Sequence, residues 1–178
     1  MKQSELITAA LKGDATLVVK NARVVNVFTN EILEGDVALS EDTIIGVGKG
    51  FAAREEIDAG GAYLCPGFID AHVHIESSMV IPDSFSRVIM PHGTTTIIAD
   101  PHEIANVCGV AGVRAIYKLS DDLPLRVLFM MPSCVPATPF ENSGATLTAE
   151  DMEQFMRKSR ILGLGEVMDA VSTINCSK

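Results

Sequence analysis

Residues 66–74 read PGFIDAHVH and are the most informative part of the sequence. Its apolar middle predicts a β-strand, in which alternate side chains point to the same face, so His72 and His74 project together. Two imidazoles on one face can share a cation, and imidazole suits zinc, iron and manganese alike. The stretch therefore predicts a strand that ends at a metal site. The alternative is a chance pair of histidines at a strand end.

Further apolar strands follow this stretch, and helical patterns separate them. The predicted strands are Leu64–His74, Thr94–Asp100, Leu125–Met131 and Ile161–Met168. The predicted helices span 81–91 and 103–119, and a third opens at Thr148 with a capping-box pattern. A strand followed by a helix, repeated about every thirty residues, predicts βαβ units and a parallel sheet.

A different pattern precedes Tyr63. A short helix is predicted at about Ser4–Leu11, followed by short β-rich runs broken by turn residues, which predict a small antiparallel unit. These runs are Leu17–Val19, Arg23–Val27, Asp36–Leu39 and Thr43–Val47. The predicted division of the chain is a helix in 1–14, a β unit in 15–62, βα units in 63–169 and an atypical tail in 170–178.

The number of residues limits the architecture. After Ala62, 178 − 62 = 116 residues remain, whereas an eight-stranded (β/α) barrel takes about 250. The βα region is therefore either a small open sheet or the first half of a barrel. A half barrel would leave its first and fourth strands unpaired and would uncover apolar side chains, which predicts association. Those side chains are Val127, Phe129, Leu162 and Leu164.

Two more groups of polar residues stand near predicted strand ends. Asp100, His102 and Glu103 follow the second strand, where catalytic groups of parallel α/β folds gather. Asp100 or Glu103 could instead cap the helix that begins there. Glu166 interrupts the fourth predicted strand, and a metal would compensate a carboxylate buried in this position. The alternative for Glu166 is a solvated strand end.

Several classes of function are disfavoured. The formal net charge of −9 opposes nucleic-acid binding, and no apolar stretch reaches the roughly 18 residues of a membrane helix. The four cysteines form no C-x-x-C pair and no export signal is evident, so we expect reduced thiols and a cytoplasmic protein. Asn106 replaces the second histidine of an H-E-x-x-H zinc motif, and no phosphate-binding glycine loop occurs.

Longer motifs carry a family resemblance. They are PGFIDAHVHIESSM (66–79), PHGTTT (91–96), ADPHEIANV (99–107) and GLGEVM (163–168). Together they resemble the amidohydrolase superfamily, and within it the bacterial and archaeal members that deaminate adenine. The resemblance covers 15–169. It implies an α/β fold in which a small β-sandwich part precedes the first half, about four βα units, of a TIM-type barrel.

The resemblance also implies a reaction, the hydrolysis of adenine to hypoxanthine and ammonia, in a homodimer when the enzyme is complete. It implies a two-metal site holding Mn²⁺ or Fe²⁺, with Zn²⁺ possible. His72 and His74 match the first-strand metal ligands, and Glu166 matches the bridging carboxylate. Asp100, His102 and Glu103 match the acidic cluster beside the substrate. Any of the carboxylates of Glu166, Glu103 and Asp100 could carry the proton.

The chain departs from the family pattern in one respect. The family's later strands supply two histidines and an aspartate, whereas all four histidines here precede Glu103. We therefore expect this chain to be truncated and inactive alone. Two alternatives stay open: another amidohydrolase acting on a cyclic amide or an imidazole ring, and a non-catalytic fragment or half of a split enzyme.

Overall fold

The computed structural model describes residues 4–5, 8–9 and 15–176. The chain divides into two units, Met1–Pro66 and Gly67–Lys178. Half of the helix predicted at Ser4–Leu11 lies outside the described residues, and the described residues 4–5 and 8–9 are helical. Among the residues described, none of the helices is both long and apolar enough to cross a membrane.

The first unit contains one mixed β-sheet. Its strands are β1 (Ala15–Asn26), β2 (Glu31–Ser40), β3 (Thr43–Gly48), β4 (Ala53–Asp58) and β5 (Tyr63–Leu64). The order is β3-β2-β1-β4, with β5 also beside β1. The pairs β1–β2 and β2–β3 are antiparallel, but β4 and β5 both run parallel to β1. The prediction of a wholly antiparallel unit was therefore wrong.

Strand β1 joins two runs that the sequence analysis separated. Its pairing with β2 shifts register between Val19 and Ala22, and Asn21 in the gap has a φ of 55°. Asparagine tolerates this left-handed conformation, so the residues form a bulge inside one strand rather than a turn between two. Strand β4 was missed because its sequence, AREEID, is mostly charged and exposed.

The second unit contains a parallel sheet with helices between its strands. The strands are β6 (Phe68–Val73), β7 (Thr94–Ala99), β8 (Arg126–Met131) and β9 (Ile161–Leu164). The helices are α1 (Pro82–Ile89), α2 (His102–Leu119), α3 (Ala149–Met156) and α4 (Ala170–Ile174), with short 3-10 turns at Ile75–Ser78 and Met90–His92. The strand order β6-β7-β8-β9 follows the chain, so all four carboxyl ends meet at one edge of the sheet.

Two predicted strands are shorter than expected. Leu64 belongs to β5 in the first unit, and β6 begins only at Phe68. Pro66 lies between them and has no backbone N–H to donate, which explains the break. The fourth strand ends at Leu164 rather than Met168.

Helix α2 contains an interruption at Gly109, whose φ of 60° and ψ of −146° are not helical.

The core of the second unit lies between this sheet and its helices. Ile97, Val127, Phe129 and Met131 are buried against Phe155 of α3. Val127 and Phe129 were expected to be uncovered, and that expectation was wrong, because residues of α2 and α3 join the same hydrophobic cluster. Leu162 and Leu164 of the edge strand β9 are exposed, as expected.

Candidate metal centre

The two histidines of residues 66–74 meet at the end of β6. His72 lies within the strand and His74 directly follows it. Their Nε2 atoms are 3.2 Å apart. Both rings thus turn to the same side, as the alternation of strand side chains predicts.

Hydrogen bonding at the other nitrogen of His74 defines which atom can bind a cation. The Nδ1 atom lies 2.8 Å from the carbonyl oxygen of Asp100. A carbonyl oxygen only accepts, so Nδ1 carries the proton and donates it. The Nε2 atom of neutral His74 therefore presents a lone pair toward His72.

Glu166 completes this group. It follows β9, which lies at the opposite end of the strand order from β6. Its Oε1 lies 3.4 Å from His74 Nε2, and its Oε2 lies 3.9 Å from His72 Nε2. Ligands held about 2.0–2.2 Å from a common ion lie roughly 3–3.5 Å from one another. Two imidazole nitrogens and a carboxylate at these spacings fit a divalent cation.

The surroundings of Glu166 differ from the prediction. It was expected in the middle of a buried strand, but it follows the end of β9 and its side chain is 41% exposed. The Ser133 hydroxyl donates to the carbonyl oxygen of Glu166 at 2.5 Å, and the Glu166 N–H donates to Asp100 Oδ2 at 3.4 Å. The segment has left the sheet ladder, and these two bonds hold Glu166 near the histidines.

Gly165 allows this close approach. A Cβ at this position would lie 2.0 Å from Asp100 Oδ2 and 3.2 Å from the carbonyl oxygen of Met131. The Gly165 N–H also donates to that Met131 oxygen, at 2.6 Å. A side chain here would therefore push the Glu166 segment away from the strand ends.

Asp100 and His102 form a second group, deeper than the first. The two residues are 1% and 7% exposed, and Asp100 Oδ1 lies 2.5 Å from His102 Nδ1. Burial alone would lower the pKa of His102, but the close contact with the Asp100 carboxylate and the neighbouring Cys134 together outweigh burial. The pKa of His102 consequently lies above its ordinary value. His102 Nδ1 is 4.0 Å from Glu166 Oε1, so the two groups adjoin.

Neither acidic residue near the start of α2 caps that helix. The N-cap position is Pro101 and makes no side-chain hydrogen bond. The N–H of Ile104 instead donates at 3.2 Å to Glu76 Oε1, which comes from the 3-10 turn after β6. The alternative that Asp100 or Glu103 acts as a cap was therefore wrong. Glu103 accepts a hydrogen bond from Ser77 and approaches His74.

A cavity of about 340 Å³ opens beside these groups. The residues that line it include His74, His102, Glu103 and Glu166, together with Asn106 and Cys134. Burial opposes the thiolate of Cys134, but hydrogen bonds from the backbone of Asp169 and Met168, with Ser133 and His102, hold the pKa of the thiol below its usual value.

Four further residues at or near the cavity were not predicted from the sequence: Cys134, Asn106, Glu76 and Ser77. Cys134 follows closely after the end of β8, so its place at a strand's carboxyl end was the available signal. Glu76 and Ser77 stand inside the quoted motif of residues 66–79, but no spacing rule indicates which partner each would meet.

Curated proteins that are similar to this chain in sequence are named adenine deaminase. The chain is 53% identical to the adenine deaminase of Halalkalibacterium halodurans over 169 residues, which are 94% of this chain and 29% of that protein. It is 55% identical to the adenine deaminase of Clostridium acetobutylicum over 156 residues, which are 88% of this chain and 27% of that protein. The chain thus spans less than a third of the length of these curated relatives.

Solved structures share the fold at lower sequence identity. A D-hydantoinase (dihydropyrimidinase) from Thermus sp. matches 79% of this chain and 31% of its own chain, with a TM-score of 0.58 and 21% identity. A triazine hydrolase from Arthobacter aurescens matches 84% of this chain and 45% of its own, with a TM-score of 0.61 and 15% identity. At these identities the likeness concerns the fold alone.

The sequence also matches the model of a protein family. The model of the amidohydrolase family matches residues 63–172, which include β6 to β9, the histidine pair and Glu166. The match covers more than half of the sequence, and the chain belongs to the amidohydrolase family.

Proposed function

We propose that this chain carries part of a metal-dependent adenine deaminase, an enzyme that hydrolyses adenine to hypoxanthine and ammonia. The observation that carries the proposal is the meeting of His72 Nε2, His74 Nε2 and the Glu166 carboxylate at 3.2 to 3.9 Å beside a cavity. Relatives named adenine deaminase, about half identical over most of this chain, support the choice of substrate.

Membership of the amidohydrolase family implies a divalent metal. We propose that His72, His74 and Glu166 hold it, and that the metal is Mn²⁺ or Fe²⁺, with Zn²⁺ as the alternative. When bound, such a metal lowers the pKa of water, so that hydroxide is available near neutral pH to attack the ring carbon that bears the amine.

The remaining steps require proton transfers by the protein. Water contributes its oxygen and one proton to hypoxanthine, and ammonia must leave with the other, so a group has to carry protons to the ring nitrogen and the amine. Glu166 is exposed at the cavity and lies near His102, which is paired with Asp100. We propose Glu166 as the proton carrier. We propose that the buried Asp100–His102 pair beside it stabilises the charge on Glu166.

We propose that this chain is inactive alone. The described residues offer three side chains to the first cation, and a second cation and its bridging water would need ligands beyond these. We propose that the longer protein completes the site, adopts the full TIM-type barrel and forms a homodimer. The four cysteines form no disulfide, which fits the reducing cytoplasm as its location.

Calorimetric titration of the purified chain with Mn²⁺, Fe²⁺ and Zn²⁺ tests the metal assignment. Replacing both histidines, His72→Ala with His74→Ala, should abolish binding, because it removes two of the three ligands. His92→Ala is the matched control, since His92 is exposed and lies in the 3-10 turn after α1. Equal binding by the wild type and the double variant would refute the assignment.

Ammonia release from adenine, measured with added Mn²⁺, tests the activity. We expect negligible turnover by this chain alone, and turnover by the full-length Halalkalibacterium halodurans adenine deaminase as a positive control. In that relative, replacement of the histidine pair aligned with His72 and His74 should abolish turnover. If turnover in the relative survived that change, the proposed function of the site would be wrong.

A further inference from the structure

We propose that Glu103 is a positioning residue, which fixes the ring of His74 and strengthens its Nε2 as a metal ligand, rather than a proton carrier. The proposal rests on the proposed function, because it concerns His74 as a ligand. It assigns Glu103 a role separate from that of Glu166 in the same cavity.

Both carboxylate oxygens of Glu103 already have partners. Oε2 lies 3.2 Å from His74 Nδ1. Oε1 accepts a hydrogen bond of 2.9 Å from the Ser77 hydroxyl. Ser77 therefore holds the carboxylate in the orientation that presents Oε2 to the histidine ring.

The contact is made at the nitrogen that faces away from the proposed cation. Nδ1 of His74 carries the proton and lies between the Asp100 carbonyl oxygen, at 2.8 Å, and Glu103. A negative charge beside an N–H group makes the other ring nitrogen a stronger electron-pair donor. The carbonyl alone would fix the tautomer, so the specific contribution of Glu103 is charge.

The start of helix α2 leaves Glu103 available for this role. Acidic residues in a first helical turn commonly bond to the free N–H groups there. Here Glu76 accepts from the Ile104 N–H at 3.2 Å. With that donor satisfied from outside the helix, the Glu103 side chain can extend toward Ser77 and His74.

Metal affinity of the chain separates this role from proton transfer. In calorimetry with Mn²⁺, Glu103→Gln should weaken binding about 10- to 100-fold, the range found when such supporting carboxylates are lost. Ser77→Ala should weaken binding less, because the carboxylate remains but is less well oriented. Glu150→Gln is the matched control: Glu150 is an exposed acid in the first turn of α3, so its loss should leave the affinity unchanged. A residue that only carried a proton would leave the affinity unchanged in all three variants.

A second measurement needs no metal. In the metal-free chain, the Nδ1–H proton of His74 should resonate upfield in Glu103→Gln relative to the wild type, because the negative charge beside its hydrogen bond to the Asp100 carbonyl oxygen has been removed. The proposal requires both effects, and an unchanged affinity or an unchanged resonance would overturn it. Metal binding by the wild type that does not depend on His72 and His74 would instead refute the metal assignment of the proposed function, while the resonance would still decide the contact.

Discussion

Helices α2 and α3 both carry acidic residues in the first turn, but they use them differently. At α3 the helix caps itself: Thr148 Oγ1 accepts from the Asp151 N–H at 3.3 Å, and Asp151 Oδ2 accepts from the Thr148 N–H at 2.9 Å. At α2 the N-cap is Pro101, and the bond to Ile104 comes from Glu76 in another segment.

The difference shows how a helix start becomes part of a site. Asp151 of α3 bonds to the backbone at the start of its own helix, so this carboxylate stabilises the helix end. At α2, Glu76 from another segment accepts the bond from the Ile104 N–H, so Glu103 is free to approach His74. Three variants, at Asp100, Thr148 and Glu76, test this difference between the two helix starts.

Asp100→Ala removes a buried carboxylate just before the start of α2. Asp100 is buried and pairs with buried His102, so its loss leaves an unpaired buried group, which typically costs about 3–5 kcal/mol of unfolding free energy. Urea denaturation of the chain measures the loss. Asp83→Ala is the control, because the ion pair of Asp83 with Arg87 lies on the surface of α1 and its loss should change stability little. Equal stability of the two variants would show that the Asp100–His102 pair does not support the α2 end.

Thr148→Ala removes the cap of α3. Loss of such a cap typically costs about 1 kcal/mol, so the urea midpoint should fall while the Mn²⁺ affinity stays that of the wild type. Thr148→Ser retains the hydroxyl acceptor and should retain most of the stability. A loss of metal affinity in Thr148→Ala would contradict the separation of the two helix ends.

Glu76→Gln tests the external cap through its pH dependence. Burial raises the pKa of Glu76 above 4.5, outweighing the backbone hydrogen bonds that oppose the shift. The stability of the wild type associated with neutral Glu76 is therefore fully present below pH 4.5 and is lost as the pH rises through the raised folded-state pKa.

Glutamine keeps the acceptor oxygen but does not titrate. The difference in unfolding free energy between Glu76→Gln and the wild type should thus shift in favour of the variant as the pH rises from about 4 to 7. Urea denaturation across that range measures the difference. A constant difference would indicate that Glu76 has the same pKa in the folded and unfolded chain.

Much of the second unit could be predicted from sequence, because periodicity reports burial. The strands before Asp100 and Pro132 and the capping box at Thr148 each depend on residues close together in the chain. The convergence of His72 with His74 follows from strand alternation alone. Membership of the amidohydrolase family, expected from the motifs, is confirmed by the family match.

The parts that sequence reasoning missed depend on contacts between distant segments. Strand β4 pairs with β1 although its residues are mostly charged, because the pairing uses backbone groups. Glu166 leaves the β9 ladder because Ser133 and Asp100 bind its backbone. The link from Ser77 through Glu103 to His74 crosses from one strand end to the next helix, and no local pattern encodes it.

The close approach of Gly165 to Asp100 also constrains how this family can vary. A side chain at position 165 would overlap the Asp100 carboxylate, so any larger residue there requires a smaller or displaced residue at position 100. A change at position 165 is therefore tolerated only alongside a matching change at position 100, whereas a smaller residue at position 100 leaves Gly165 unhindered. Family sequences that lack glycine at position 165 should consequently also lack aspartate at position 100.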